Sequence, residues 1–289
     1  MYPAPFLYHR PSGLHQALEL LSRHKTDGVI LAGGQSLVPR MNLRQETPKN
    51  VVDLNRIADL STLAVVDDVL EIGAMVRHQS FCCDTAIGSL SLPSGFVQLL
   101  GRMAGAIGNL PIRLRGTIGG SLANASPKAQ WALLSLLLDA DIVIENAGGA
   151  RCERYAEFLN RDGRTTLKPG DMITRVKIKV PSAHWRYGFA QLAPQQNRPA
   201  SAFALAAVTL QDACVRDCRI AVGACTPVPC RLQALEDWLS GRPASVDGGN
   251  DLADVAKAAV RQQAFDLEPY LEHLAAVAIT RAVAQALGH

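Results

Sequence analysis

Two segments bring glycines, hydroxyls and a following apolar residue together in a way that suits backbone chemistry: Ala32-Gly33-Gly34-Gln35-Ser36-Leu37 and Gly116-Thr117-Ile118-Gly119-Gly120-Ser121. Glycine removes the Cβ that would hold a ligand away from the main chain. It also lets successive N–H groups turn toward one point, which suits an anion such as a pyrophosphate. A helix that starts behind such a loop adds the positive end of its dipole. The pair implies one dinucleotide held from two sides. The amides of Gly33 through Ser36 and the Ser36 hydroxyl are expected on one phosphate, and Thr117 with the backbone of Ile118, Gly119, Gly120 and Ser121 on the other flank. Neither loop fits G-x-G-x-x-G, which argues against a Rossmann site, and neither fits G-x-x-x-x-G-K-[ST], which argues against ATP hydrolysis.

Other residue types with chemical potential form no site of their own. Cys82, Cys83, Cys152, Cys214, Cys218, Cys225 and Cys230 are odd in number, lack a C-x-x-C pair and lack iron–sulfur spacing, so they read as structural thiols. The seven histidines are scattered without metal-ligand spacing, so no metal site is expected. A charged fraction of 19%, against 48% hydrophobic residues, describes an ordinary globular chain. The net charge of +3 is dispersed, which argues against nucleic acid as a partner. No run approaches the ~20 apolar residues of a membrane span. Met1-Tyr-Pro-Ala-Pro-Phe lacks the regions of a secretory signal, so the expected location is the cytoplasm.

Periodicity supplies the elements that must position the loops. A strand is expected near Phe6-Leu7-Tyr8, then a helix opened by Ser12 as N-cap with Leu14, Ala17, Leu18 and Leu21 on one face. Gly28 to Leu31 reads as a buried strand delivering the first loop, Leu37 to Leu43 as a short helix, and Val51 to Leu54 as a further strand, giving a βαβ-like unit. Leu63–Val66 and Val69–Gly73 flank Asp67-Asp68 as a hairpin. Helices follow over Gly95–Gly108 and Lys128–Leu138, then strands Asp141–Glu145 and Ile173–Val180, with the turn Asn146–Gly149 and loop through Gly170 between them. Pro181 marks the boundary. Beyond it, strands Ala202–Leu210 and Val215–Ala224 pair around Asp212, and helices cover Arg231–Ser240, Leu252–Gln263 and Pro269–Leu287. The class is α+β, with an N-terminal domain over 1–180, split into subdomains of about 1–58 and 59–180, and a small α+β domain over 181–289.

The order Leu31-AGGQSL-VPRMNLR-Gln45, Val52-Asp53-Leu54, Ile107-GNLPIRLRGTIGGSLANASP-Lys128 and Arg219-IAVGACTPVPC-Arg231 resembles the FAD-binding medium subunit of molybdenum hydroxylases over essentially the whole chain. That family includes carbon monoxide dehydrogenase, quinoline oxidoreductase and xanthine dehydrogenase flavoproteins. The resemblance implies a two-subdomain FAD-binding domain of the vanillyl-alcohol-oxidase (PCMH-like) type and non-covalent FAD. It also implies an electron-transfer role beside an iron–sulfur small subunit and a molybdopterin large subunit, arranged as a dimer of heterotrimers. Molybdopterin and [2Fe–2S] belong to the partners, and no catalytic residue is expected in this chain. The resemblance further implies that Asn124 and Gln130 line the flavin, that Phe189, or Tyr187 in a shifted register, covers a ring face, and that Arg113 and Arg115 either brace the loop or touch flavin. Relatives carry an acidic residue where this chain has Gln130, a lysine where it has Gln191 and an aspartate where it has Ala202. Two other readings stand beside this one: a stand-alone NAD(P)H-dependent flavin reductase of the enolpyruvyl-UDP-glucosamine type, and a flavin-free assembly subunit.

Overall fold

A short parallel sheet carries the first glycine loop. In the computed structural model, which describes residues 2–82, 87–195, 198–244, 250–264 and 266–289, strands β1 (Leu7–His9), β2 (Gly28–Leu31) and β3 (Asn50–Asp53) pair in the order β1-β3-β2. Helix α1 (Leu14–Arg23) closes one face by burying Ala17 and Leu21 against Val52 and Leu54. Ser12 is not its cap. Gly13 holds that position in extended conformation, and the Ser12 N–H donates to the Gln16 Oε1 at 3.0 Å, because the glutamine side chain reaches back past the cap. The register Leu31↔Asp53 ends two parallel strands together, so Ala32 and Asn55 emerge side by side at the carboxyl edge, where open α/β sheets bind ligands. Helix α2 (Leu37–Asn42) follows the loop.

The middle sheet has five antiparallel strands: β4 (Leu63–Val66), β5 (Val69–Gly73), β6 (Asp141–Asn146), β7 (Gly149–Arg154) and β8 (Met172–Lys179), in the order β4-β5-β8-β6-β7. Asp67 and Asp68, both at positive φ, make the tight turn expected between β4 and β5. Alternate residues Leu70, Ile72, Ile142, Ile144, Val176 and Ile178 point inward. They meet helices α4 (Ser94–Gly105) and α7 (Gln130–Leu137), after the short helices α3 (Gln79–Cys82), α5 (Leu110–Arg115) and α6 (Ile118–Ala123). Helix α7 is apolar and buried on nearly every side, which places it inside the core rather than on it. Strand β7 and the one-turn helix α8 (Tyr155–Phe158) were not expected, since the exposed, charged Gly149-Ala-Arg-Cys-Glu-Arg run of this edge strand shows no apolar alternation.

A third sheet, β12-β11-β10-β9, contains β9 (Arg186–Leu192), β10 (Ala202–Gln211), β11 (Cys214–Gly223) and β12 (Cys230–Arg231), followed by α9 (Gln233–Leu239), α10 (Asn250–Gln263) and α11 (Pro269–Leu287). The helices expected over Leu252–Gln263 and Pro269–Leu287 match α10 and α11, and the expected β10–β11 pair turns at Asp212 and Ala213. The buried stripe of α11, including Ala275, Ala278, Ala282 and Ala286, is small because the helix lies directly on the sheet backbone. Gly188 permits that approach. A Cβ there would overlap the carbonyl oxygen of Ala282 and come within 2.9 Å of the Ala286 nitrogen, with main chain on both sides. Gly188→Ala is expected to lower stability by about 3 kcal/mol, at the upper end of overpacking costs, read as a lower urea midpoint at unchanged slope.

Candidate functional site

The two glycine loops meet across a cleft. A Cβ on Gly33 would overlap the carbonyl oxygen of Arg115 and sit 2.8 Å from the Gly116 Cα, so at this point main chain packs on main chain. Below the contact lies a cavity of about 750 Å³, within the range of cofactor sites. It is lined from all three sheets' units: Gly33 to Leu37 from the first, Thr117, Gly119, Gly120 and Ser121 from the second, Gln191 and Ala200 from the third.

The loops present opposite hydrogen-bonding states. In the second, the expected donors are already committed: Ile118 N–H to the Val76 carbonyl at 3.2 Å, Gly119 N–H to Ala74 at 2.9 Å, Gly120 N–H to the Thr117 Oγ1 at 3.1 Å and Ser121 N–H to the Thr117 carbonyl at 3.0 Å. Thr117 is the N-cap of α6, the role a threonine takes at a helix start. In the first, no acceptor is found among the described residues for the N–H groups of Gly33, Gly34, Gln35 and Ser36. Gly34 has φ +73°, in the left-handed region that favours glycine, and Gly33 to Ser36 all line the cleft. The first loop therefore has amides without internal partners, and the second does not. The second forms a wall whose glycines permit close packing, Gly119 on Ala74 and Gly120 beside Ala32. Helices α2 and α6 have only six residues each, so the free amides, rather than a long dipole, supply the attraction.

A polar clasp ties the loops from behind. Asn55 donates from Nδ2 to the Ala32 carbonyl at 2.9 Å, and the Arg77 guanidinium donates both to the Asn55 Oδ1 and to the Arg115 carbonyl. Asp53 anchors this bridge by accepting from Asn55 N–H at 2.8 Å, from the Asn55 amide and from the Tyr8 hydroxyl. Burial acts to raise the Asp53 pKa, but the hydrogen bonds from Tyr8 and Asn55 outweigh it and hold the carboxyl below its ordinary value. Sequence reading missed this clasp. Its one visible signal was a carboxylate closing an apolar strand at Val51-Val52-Asp53.

The other expected residues divide. Asn124 lines the cleft, and its Oδ1 is buried without a partner, an acceptor awaiting a donor. Gln130 is buried in the cleft wall, where its Nε2 donates to the Gln191 Oε1 at 2.9 Å. Ile118 and Phe189 belong to the core rather than the cleft lining. Phe189 donates its N–H to the Gln285 Oε1 at 3.0 Å and accepts at its carbonyl from Arg102 at 2.9 Å, which locks β9 to α4 and α11. Tyr187 is likewise absent from the lining and packs near Phe96. Arg113 braces the approach to the second loop through the carbonyls of Gly105, Ile107 and Gly108 and the Gln79 Oε1, the supporting alternative of the two considered for it. His78, unremarked in the sequence, lies in the wall and accepts at Nδ1 from the Trp131 indole N–H at 2.9 Å.

Residues 4–182 match the family model described as the FAD binding domain in molybdopterin dehydrogenase. The chain belongs to this family. It is 33% identical to the caffeine dehydrogenase subunit beta of Pseudomonas sp. (strain CBB1), over 88% of this chain and 84% of that protein. It is 30% identical to the carbon monoxide dehydrogenase medium chain of Hydrogenophaga pseudoflava, over 96% and 94% respectively. The crystal structure of quinoline 2-oxidoreductase from Pseudomonas putida 86 superposes with a TM-score of 0.89 at 27% identity, covering 99% of this chain and 98% of that one. These matches support the subunit reading over both the stand-alone reductase and the flavin-free alternative. The cleft itself fits a dinucleotide, with a run of unpaired amides for an anion and a buried orphan carbonyl at Asn124 for a hydroxyl or amine donor.

Loss of the clasp is expected to weaken FAD binding while leaving the core intact. Arg77→Ala and Asn55→Ala each remove bonds to a charged or bridging group worth roughly 1.5–3 kcal/mol, so roughly 10- to 150-fold in FAD dissociation constant by titration of the apoprotein. A second expectation concerns acid. Because the folded Asp53 pKa is depressed, its contribution is complete above the ordinary carboxylate range and is lost as pH falls through the lower folded value. Wild-type protein should hold FAD from pH 7 down to roughly pH 4 and release it below, whereas Asp53→Asn should bind more weakly at pH 7 and show a shallower acid limb.

Proposed function

We propose that this chain is the FAD-carrying electron-transfer subunit of a molybdenum hydroxylase, with FAD held by Ala32 to Leu37, Thr117, Gly119 to Ser121, Asn124 and Gln130. The observation that carries the site assignment is the row of free amides from Gly33 to Ser36 facing a cleft of cofactor size. Ile118 and Phe189 support that site from the core.

The bound isoalloxazine supplies the redox chemistry, accepting electrons singly and releasing them singly or in pairs. The protein's residues bind, orient and insulate. Gly33 to Ser36 offset phosphate charge with oriented N–H groups, and the Ser36 hydroxyl adds a donor. The second loop gives a rigid wall, because its own amides are satisfied and cannot relax toward a ligand. Gln130 and Gln191 offer neutral hydrogen-bonding groups, so the cleft imposes no fixed charge at that point.

The partners are an iron–sulfur small subunit and a molybdopterin large subunit, in a dimer of heterotrimers in the cytoplasm. Support comes from relatives whose names describe them as a subunit or a medium chain. The sequence also lacks iron–sulfur cysteine spacing, so the electrons need another chain as their source. The FAD-binding domain ends near Pro181, consistent with the family match to residue 182 and with β9 opening a separate sheet.

The test is purification with and without the products of neighbouring genes, followed by assay of N-heterocycle, aldehyde and carbon monoxide oxidation. Turnover is expected only in the complex, and turnover by the single chain overturns the reading. Acid precipitation should leave FAD in the supernatant, since neither glycine loop offers a cysteine or histidine for covalent attachment.

A further inference from the structure

His78 stands in the cleft wall, 5% exposed, and the FAD reading above does not use it. Its position is rigid. The main-chain N–H donates to the Gly116 carbonyl at 3.1 Å, Arg77 beside it forms an isolated β-bridge with Thr117, and the ring lies beside Trp131, which itself packs on Phe81 at 4.6 Å between centroids. An indole nitrogen only donates. The 2.9 Å bond from Trp131 Nε1 therefore leaves His78 Nδ1 without a hydrogen and puts the ring proton on Nε2. Burial, with the neighbouring Arg77 charge adding to it, pushes the imidazolium down to about 4, so the ring is neutral at physiological pH.

The Nε2 edge borders the second loop where it meets the first. A Cβ on Gly116 would lie 2.6 Å from Nε2, and Gly116 is the residue whose Cα packs on Gly33. No acceptor for Nε2–H is found among the described residues. His78 lines the cleft, so a ligand acceptor can take the Nε2–H bond there, and the unpaired amides of the first loop, which line the same cleft, call for an anion.

Resting on the assignment of the cleft to FAD, we propose that His78 is a binding residue that donates a neutral Nε2–H hydrogen bond to the FAD pyrophosphate at the junction of the two glycine loops. Trp131 is its positioning residue. The indole fixes the tautomer that donates, in the way an outer hydrogen bond sets which ring nitrogen of a histidine is available. Because the donor is uncharged, it adds to the amides of Gly33 to Ser36 without repelling Arg77.

The test measures FAD affinity of the apoprotein by titration for wild type, His78→Phe, His78→Asn and Trp131→Phe. His78→Phe should raise the dissociation constant roughly 10- to 100-fold, the range for a bond to a charged group. His78→Asn, which keeps a neutral donor, should recover most of that loss, and Trp131→Phe should give an intermediate loss. Nitrogen-15 spectra of histidine-labelled wild-type protein supply a readout independent of variant folding. The apoprotein should show protonated Nε2 and unprotonated Nδ1, and ADP, which carries the pyrophosphate without flavin, should shift Nε2 as FAD does. Riboflavin should leave it unmoved. Equal FAD affinity in His78→Phe and wild type, an Nδ1-protonated ring, or an Nε2 that responds to riboflavin and not to ADP overturns the assignment to His78. Failure of the wild-type chain to bind FAD at all would instead overturn the reading of the cleft.

Discussion

Main chain against main chain, Gly33 on the carbonyl of Arg115, is the contact on which the rest of the site depends. It sets the separation of the loops and therefore the shape of the cleft between them. Side chains cannot make such an approach, because even one methyl group would overlap the opposing carbonyl. The approach is also polar on both sides, so it needs hydrogen bonds close by. Arg77 and Asn55 provide them by binding the carbonyls of Arg115 and Ala32, and Asp53 with Tyr8 hold that bridge in place. A partly buried guanidinium and a buried carboxylate are costly unless fully engaged, and here each has several partners.

The third sheet is tied to this site through polar contacts as well as packing. Gln191 reaches back to Gln130, and Gln285 with Arg102 fixes the main chain of Phe189. The resemblance led to a lysine and an acid at the two glutamine positions, residues of opposite charge. Their replacements are bonded to each other. The neutral amide pair connects α7 to β9 and places no charge at either position.

Much of the fold was legible because apolar patterning reports directly on burial. Gly28–Leu31 and the Leu63–Gly73 hairpin were read with the bounds observed, since the strands are apolar and the aspartates between them accept positive φ. Strand β9 was read for its aromatic side chains rather than for its backbone, and β7 is an exposed edge with no pattern to read. At the site, the loops were found by their glycines, but the fate of each N–H was not. Whether an amide is free depends on carbonyls such as Ala74 and Val76, more than forty residues away in the chain. Separations of 22 to 45 residues likewise hid the clasp. Tyr8, Asp53 and Arg77 meet through tertiary contacts that leave no periodic trace.

The cleft draws its walls from all three sheets, and this bears on how the protein comes apart. A ligand that touches Gly33, Thr117 and Gln191 together binds only when all three units are folded and docked. Its binding free energy is then shared as a penalty on opening any one of them. Without it, the third sheet, which packs one face on α11, is held to the middle unit by the other, where Phe203, Leu205 and Ala207 join the central core. Occupancy of the cleft thus adds to the coupling between the three units as well as to the depth of the native free-energy well.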